Sequence, residues 1–540
     1  MADIRAAARL AAFPLALLAV FLVYARSLDG RFVYDDHHFV ENNPAVASLS
    51  SPWRFFSDPS TQSDNAGLNS DVYRPLATLS YALDYATAGP VPGYFRAVNV
   101  LLHGVNALLL FLLAGLLGLE APYAALAAGF FALFPPSVEA VAWVSGRSGV
   151  LSCTFILLSL IWFVKYSLGS GTKFLVLSAL AGASALFTRE ISAALPLLAL
   201  SYLLVFGARP RRFLDAALFL GLPAALFVLL RFELLGKLQQ TPQPALSALG
   251  LFSMPLLIFA KYLDVLVWPF HMLVNYSDLM ELRLHAPAFY LPFALLAFLL
   301  YCALVWALLR RGRKTEAWGL LWFFIALLPV LNIVSIATFM AERLLYLPSA
   351  GAALALAAAG SRLGGSVRAR RAFFASCAAL LALFALNIQL RLPVWHDDVS
   401  LWSYDAGQNP WDFLTRMKLA DALKKAGDQV GAAAALRDAL GRASSAWQRA
   451  MAYNEMGVLL AMDGKIAEAE RFFRTSVRLD PVDPVALYNL ARALAVRGDK
   501  ASSREYLRLC LQRDADYGPA LKLRASLDAS PRAPGWKGES

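Results

Sequence analysis

The stretch VNVLLHGVNALLLFLLAGLLG, residues 98–118, decides the architecture, because it runs without a single Asp, Glu, Lys or Arg. As a helix rising 1.5 Å per residue it is about 30 Å long, the thickness of a bilayer's hydrocarbon layer. Its polar side chains are not scattered. Asn99, His103 and Asn106 recur at i, i+4 and i+7, so they share one helix face, a pattern that reads as interhelical hydrogen bonding before catalysis.

Similar apolar blocks lie on both sides. One covers 10–24, behind Arg5 and Arg9; others fall near 122–138, 149–166, 173–187, 191–206, 213–231, 288–309, 316–335, 344–361 and 372–391. Of the 540 residues 59% are hydrophobic and only 16% charged. Soluble chains average about 45–50% and about 25%, so a soluble protein is excluded and a polytopic membrane protein implied. The net charge of +11 does not point to nucleic acid. Its cations cluster in short loops: Lys165/Lys173, Arg209/Arg211/Arg212, Arg310/Arg311/Arg313/Lys314 and Arg362/Arg368/Arg370/Arg371. All four fall on the cytoplasmic side, with the N-terminus, if the block 251–270, which carries Pro255, Lys261 and Asp264, lies at the interface. Eleven spans result, and the C-terminal tail then emerges on the outward face. Four cysteines without metal spacing imply no disulfide framework.

After residue 395 the texture becomes soluble. Tyr453, Met456, Gly457, Leu460, Ala469, Phe473 and Pro481 occupy the informative positions of a 34-residue tetratricopeptide repeat. One period later stand Leu487, Leu490, Ala491, Leu494 and Leu507, and Gly464-Lys465 is matched by Gly498-Asp499. A weaker copy begins near Phe413. The expected organisation is therefore all-α: a membrane domain over 1–395 with an outward first loop at 27–97, then an α-solenoid over 396–528 with repeats at 413–446, 450–483 and 484–517, and a frayed end at 529–540.

Charged groups at a membrane boundary are costly and hence informative. The outward face receives Tyr34-Asp35-Asp36-His37-His38 and Tyr73-Arg74, then Glu139 with Arg147, Arg189 with Glu190, and Glu342 with Arg343. In a turn, one of two adjacent carboxylates can face a reaction centre while its neighbour orients the loop. A metal site on Asp35, Asp36 and His37 is the lesser alternative, since neighbouring residues rarely converge on one ion. Arg74 is either a clamp for its loop or a substrate contact. The arginines suit a lipid phosphate, whose oxygens a guanidinium binds in pairs.

Several segments together resemble the transmembrane and tetratricopeptide-repeat O-mannosyltransferases, multi-pass glycosyltransferases of the GT-C class, and their bacterial relatives. They are Phe-Val-Tyr-Asp-Asp-His (32–37), Tyr-Arg-Pro-Leu (73–76), Ala-Leu-Asp-Tyr (82–85), residues 99–109, Pro-Pro-Ser-Val-Glu-Ala-Val-Ala-Trp-Val-Ser-Gly-Arg (135–147), Thr-Arg-Glu (188–190) and Ala-Glu-Arg-Leu-Leu-Tyr-Leu-Pro-Ser-Ala-Gly (341–351). The chain departs from the family after Pro136, where a histidine is usual, and at Arg189, where lysine is frequent.

The resemblance implies an inverting transfer of a hexose, mannose by analogy, from a polyprenyl-phosphate donor to a hydroxyl of a polypeptide held by the repeats. Asp36 or Asp35 is the expected base. Arg74, Glu139, Arg147, Arg189, Glu190, Glu342 and Arg343 are expected around the donor's sugar and phosphate, with His37, Asn99 and His103 in structural or substrate roles. No cofactor and no metal are required by this scheme, although a divalent ion is compatible with it. The Ala/Leu/Arg-rich composition places the protein in a bacterial inner membrane with cleft and repeats in the periplasm; an endoplasmic reticulum membrane with a luminal site is topologically equivalent. A membrane-anchored repeat scaffold and a lipid-linked sugar transporter are the alternative functions.

Overall fold

The computed structural model describes residues 14–65, 72–236, 248–276, 286–334, 338–363 and 366–529. Parts of the expected first loop and of the first apolar block, and nearly all of the expected frayed end, lie outside the described residues. The chain divides into two compact units, Met1–Asp397 and Asp398–Ser540. Both are helical, and no strand occurs among the described residues.

Among the described residues of the first unit seven helical stretches are long and apolar enough to cross a membrane: Pro92–Leu116, Val144–Ser167, Pro210–Leu235, Ala248–Val267, Pro287–Arg310, Glu342–Ser361 and Val367–Trp395. Ala121–Ala132, Lys173–Thr188 and Glu190–Phe206 are shorter apolar helices. This is a multi-pass membrane protein. Two individual blocks bear on the threading, and one of them needs correction. The block expected to lie at the interface forms the helix Ala248–Val267, which carries Pro255, Lys261 and Asp264 and is also long and apolar enough to cross. The block at 122–138 is helical only to Ala132, about 18 Å of helix, because Pro135 and Pro136 deny the next turn its amide donors.

Close packing inside the bundle rests on small residues. A Cβ added to Gly319 would sit 2.5 Å from the carbonyl oxygen of Gly351, and one added to Gly351 would sit 2.5 Å from that of Gly319. The two helices therefore touch backbone to backbone. The polar face of Pro92–Leu116 behaves as its spacing indicates. His103 pairs through Nδ1 with the Tyr346 hydroxyl at 2.7 Å and through Nε2 with the Ala132 carbonyl at 2.9 Å. Asn106 donates to Val150 O and to Tyr346.

Near the charged turns the long helices give way to short ones. Ser137–Ala142, Val144–Gly146, Glu190–Ala194, Leu328–Val330, Glu342–Leu345 and Leu392–Trp395 are one- or two-turn elements, mostly 3-10. Such tight turns satisfy backbone groups while the chain changes direction, and they aim side chains that a continuous helix would spread over its length. The first loop packs over them: Phe32, Val40, Val46, Ala77, Tyr81, Phe95 and Val144 form one buried cluster.

The second unit opens with the helix Asp398–Gln408 and continues as three helical hairpins, Phe413–Lys425/Gln429–Arg442, Ala446–Met462/Ile466–Leu479 and Pro484–Val496/Lys500–Arg513, closed by Gly518–Ala529. Gly464 and Gly498 turn the second and third hairpins at φ 77° and 90°, a conformation that a side chain disfavours. Asp428 and Asp499 cap second helices by accepting from Gly431 N and Ser502 N. Gly457 admits the Phe473 ring, which an added Cβ would meet at 2.6 Å.

Candidate active site

The two adjacent aspartates are placed very differently. Asp36 is fully buried and accepts from Ser145 N at 2.7 Å, Ser145 Oγ at 2.5 Å and Val33 N at 3.1 Å. Burial pushes its carboxyl up to about 6, against the opposing pull of the Ser145 hydrogen bond and the nearby Arg96 charge. Asp36 is therefore the anchor of the first loop. Asp35 is half-buried, and its carbonyl accepts from His38 N and Phe39 N. It is set by Tyr34, whose φ of 57° is a left-handed conformation rare outside glycine. Backbone strain of this kind costs about 1–3 kcal/mol and gathers at functional sites.

Tyr34 shows where the loop points. Its ring packs on Trp143 at 5.8 Å, and its phenol is pushed up by Asp35 and by burial while Arg343 opposes. Trp143 is the hub of this corner. Its ring lies 5.1 Å beneath the Arg343 guanidinium and 5.9 Å from Trp395, and its indole N–H donates to Val33 O at 3.2 Å. Arg343 is paired with buried Glu139, whose second oxygen accepts Arg343 N at 2.8 Å. Arg74 is gripped by Glu190 through two parallel bonds of 3.0 and 2.6 Å. The turns at 34–36, 139–147, 189–190 and 342–343 thus share one neighbourhood.

Four expected site residues, Arg147, Asn99, Glu342 and His37, are engaged with other parts of the fold. Arg147 is fully buried, ion-paired with Asp84, and donates to Asn99 Oδ1 at 2.7 Å and Phe95 O at 2.6 Å. Asn99 in turn donates to the Trp143 carbonyl at 3.0 Å. Glu342 is closed off by Arg391 at 2.8 Å and the Tyr276 hydroxyl at 3.1 Å. His37 pairs with Glu41, while His38 lies 2.8 Å from Asp64. Among the described residues no three His, Cys, Asp or Glu side chains are grouped to hold a metal ion.

Arg189 is the contrast. It is 5% exposed, no carboxylate among the described residues lies within ion-pair distance, and its Nε is buried without a partner. Burial and then the Arg74 charge push its guanidinium down to about 9, with Glu190 and Glu139 partly offsetting. Tyr262, from the block read as interfacial, and Tyr276, which follows it, also enter this region: Tyr262 meets the backbone of Ala341, and Tyr276 binds Glu342. Sequence reasoning missed them together with Trp143, Arg96, Ser145 and Arg391. A guanidinium at the very edge of an apolar block was the available signal for Arg96 and Arg391.

Helical spans and a helical repeat unit define a polytopic membrane protein in which two charge pairs, Arg74–Glu190 and Arg343–Glu139, lie close to Arg189. The relatives sharpen that class. The chain is 34% identical over 176 residues to the protein O-mannosyl-transferase Tmtc1 of Drosophila melanogaster, covering 32% of this chain and 20% of that protein. It is 34% identical over 194 residues to mouse TMTC4, covering 31% and 26%, and 33% identical over 185 residues to human TMTC1, covering 31% and 21%. The chain is thus a relative of the protein O-mannosyl-transferases along about a third of its length, and the matched segments span about a fifth to a quarter of those proteins. No family model matches the chain.

Proposed function

We propose that this protein is a membrane glycosyltransferase that moves a hexose from a polyprenyl-phosphate donor to a hydroxyl of a polypeptide, with inversion. The observation that carries the reading is Arg189, a buried guanidinium between the pairs Arg74–Glu190 and Arg343–Glu139 with no carboxylate of its own. A buried cation without a partner is costly unless a ligand supplies the charge. One unpaired cation matches the single charge of a phosphodiester, and the phosphate gains a second charge as it leaves. Arg74 and Arg343 stand close enough to share that increment.

Asp35 is the base in this reading and Asp36 its anchor. The acceptor O–H gives its proton to Asp35, and its oxygen bonds to the anomeric carbon. The bond from that carbon to the phosphate oxygen breaks, and the electron pair departs on polyprenyl phosphate. Mannose is the hexose in the names of the protein O-mannosyl-transferases this chain resembles and is the first donor to try. The cleft and the repeats face outward, to the periplasm of a bacterium or the lumen of the endoplasmic reticulum, and the repeats hold the polypeptide.

The test uses the full chain in nanodiscs with polyprenyl-phosphate mannose and an unfolded acceptor polypeptide. Asp35→Asn is expected to lower transfer by about 10²-fold or more with insertion unchanged. Undiminished transfer removes Asp35 as base, and a wild type that transfers nothing from this donor removes the reading.

A further inference from the structure

Arg96 lies in the first turns of Pro92–Leu116, outside the cluster described above, and is fully buried. Its guanidinium gathers carbonyls from three distant parts of the first unit. Nε donates to Ala142 O at 2.7 Å, and Nη2 donates to Trp395 O at 3.1 Å and to Arg31 O. Nη1 is buried without a partner and faces Gly30, where an added Cβ would sit 2.6 Å away. No carboxylate lies within ion-pair distance among the described residues; the acid nearest in effect is Asp36. The three carbonyls belong to the strand of chain leading into Tyr34-Asp35-Asp36, to the residue before Trp143, and to the end of the last apolar helix.

We propose that Arg96 is a positioning residue for the transfer reaction: its planar fork clamps the loop carrying Asp35 to the Trp143 turn and to the exit of the last apolar helix. The proposal rests on the reading of Asp35 as base. A flat, five-donor group is suited to this task because three carbonyls approaching from different directions can be met by one rigid side chain. Lysine supplies the charge without the fork. The same charge helps Asp36 remain the acceptor that Ser145 N–H and Val33 N–H require. The groups facing Asp36 are Ser145, Val33 N and Arg96, with Tyr81 contributing from the helix Pro75–Ala88. Removing Arg96 therefore leaves Asp36 to take up a proton at higher pH and lets the loop lift.

The experiment compares wild type, Arg96→Gln and Arg96→Lys in nanodiscs, with polyprenyl-phosphate mannose and the acceptor polypeptide, across pH. In Arg96→Gln, kcat is expected to fall about 10²-fold, as a displaced reacting group does, with the donor KM nearly unchanged. The acid limb of its pH profile is expected to move up by about one pH unit, the size of effect a lost neighbouring charge produces. Arg96→Lys is expected to keep the acid limb near its wild-type position while kcat falls by a smaller factor. A lower kcat with an unmoved acid limb, or an unchanged kcat, overturns the proposal.

A second readout is independent of sugar transfer. Val33 is fully buried beneath the clamp. In a background lacking exposed Cys302, Val33→Cys is expected to resist a maleimide when Arg96 is present and to react in Arg96→Gln. Equal protection in both overturns the clamp. If wild type transfers no sugar, the reaction reading falls and the labelling alone decides the role of Arg96. If Arg96→Gln fails to insert, Arg96→Lys carries both measurements.

Discussion

Arg147 and Arg189 begin as equivalents, each a buried arginine at a turn between apolar segments, and they end in opposite states. Arg147 has Asp84, Asn99 and two carbonyls around it. Arg189 has an orphan Nε and neighbouring charges that belong to other pairs. The difference separates two uses of a costly group. In the proposed reading Arg147, its donors engaged, ties helices together, whereas Arg189, with no carboxylate partner among the described residues, is open to a ligand. Asp36 and Asp35 repeat the division with the opposite charge, one embedded in Ser145 and its neighbour half-buried after a left-handed tyrosine, its charge felt by Arg343.

The largest effect that would break this comparison is on stability. Arg147→Gln leaves Asp84 without its counter-ion, and removing one partner of a buried pair costs about 3–5 kcal/mol. It is expected to lower the melting temperature sharply or prevent recovery of monodisperse protein in detergent; a wild-type melting curve would contradict the structural role. Arg189→Gln should do the reverse. Its melting temperature is expected to hold or rise, because an uncompensated buried charge has been removed, while transfer falls by about 10²–10³-fold, the usual cost of losing one preorganised donor. A loss of stability matching that of Arg147→Gln would erase the contrast.

The smallest effect concerns Asp36. Its folded-state carboxyl is raised to about 6 from an unfolded value of 3.8, so the folded protein binds that proton more tightly. The stability this confers is complete below about pH 4 and is lost as the pH rises through 6. Melting curves of wild type and Asp36→Asn between pH 4 and 7 isolate the contribution. The wild type is expected to lose stability across that window relative to the variant; parallel curves would mean that Asp36 is not buried as described.

The repeat region was legible in the sequence because its determinants are local. The hairpins carry their glycine corners (Gly427, Gly464 and Gly498) close in sequence to the residues they serve, as do the caps Asp428 and Asp499 and the small packing residue Gly457. The membrane unit was legible as apolar blocks with charged turns, but the partners within it were not. Glu139 meets Arg343 across 204 residues and Arg74 meets Glu190 across 116, and no periodicity links such positions. Grouping by adjacency therefore placed Arg147 with Glu139 and Arg343 with Glu342, whereas the fold gives Arg147 to Asp84 and Glu342 to Arg391. Block boundaries slipped where hydropathy outlasts the helix, as at Pro135-Pro136. Hydropathy measures what tolerates lipid, while proline decides where hydrogen bonding stops.

The central claim is that the corner around Arg189 is an anion site, and ligand-induced stabilisation tests it without requiring catalysis. Thermal melting of the full chain in nanodiscs is followed as a short-chain polyprenyl phosphate is added. Binding to the folded state at 100 times the dissociation constant contributes about 2.7 kcal/mol, enough for a clear upward shift. The expected result is a saturable rise for wild type that is absent from Arg189→Gln; equal rises in both proteins, or none in wild type, would contradict the claim.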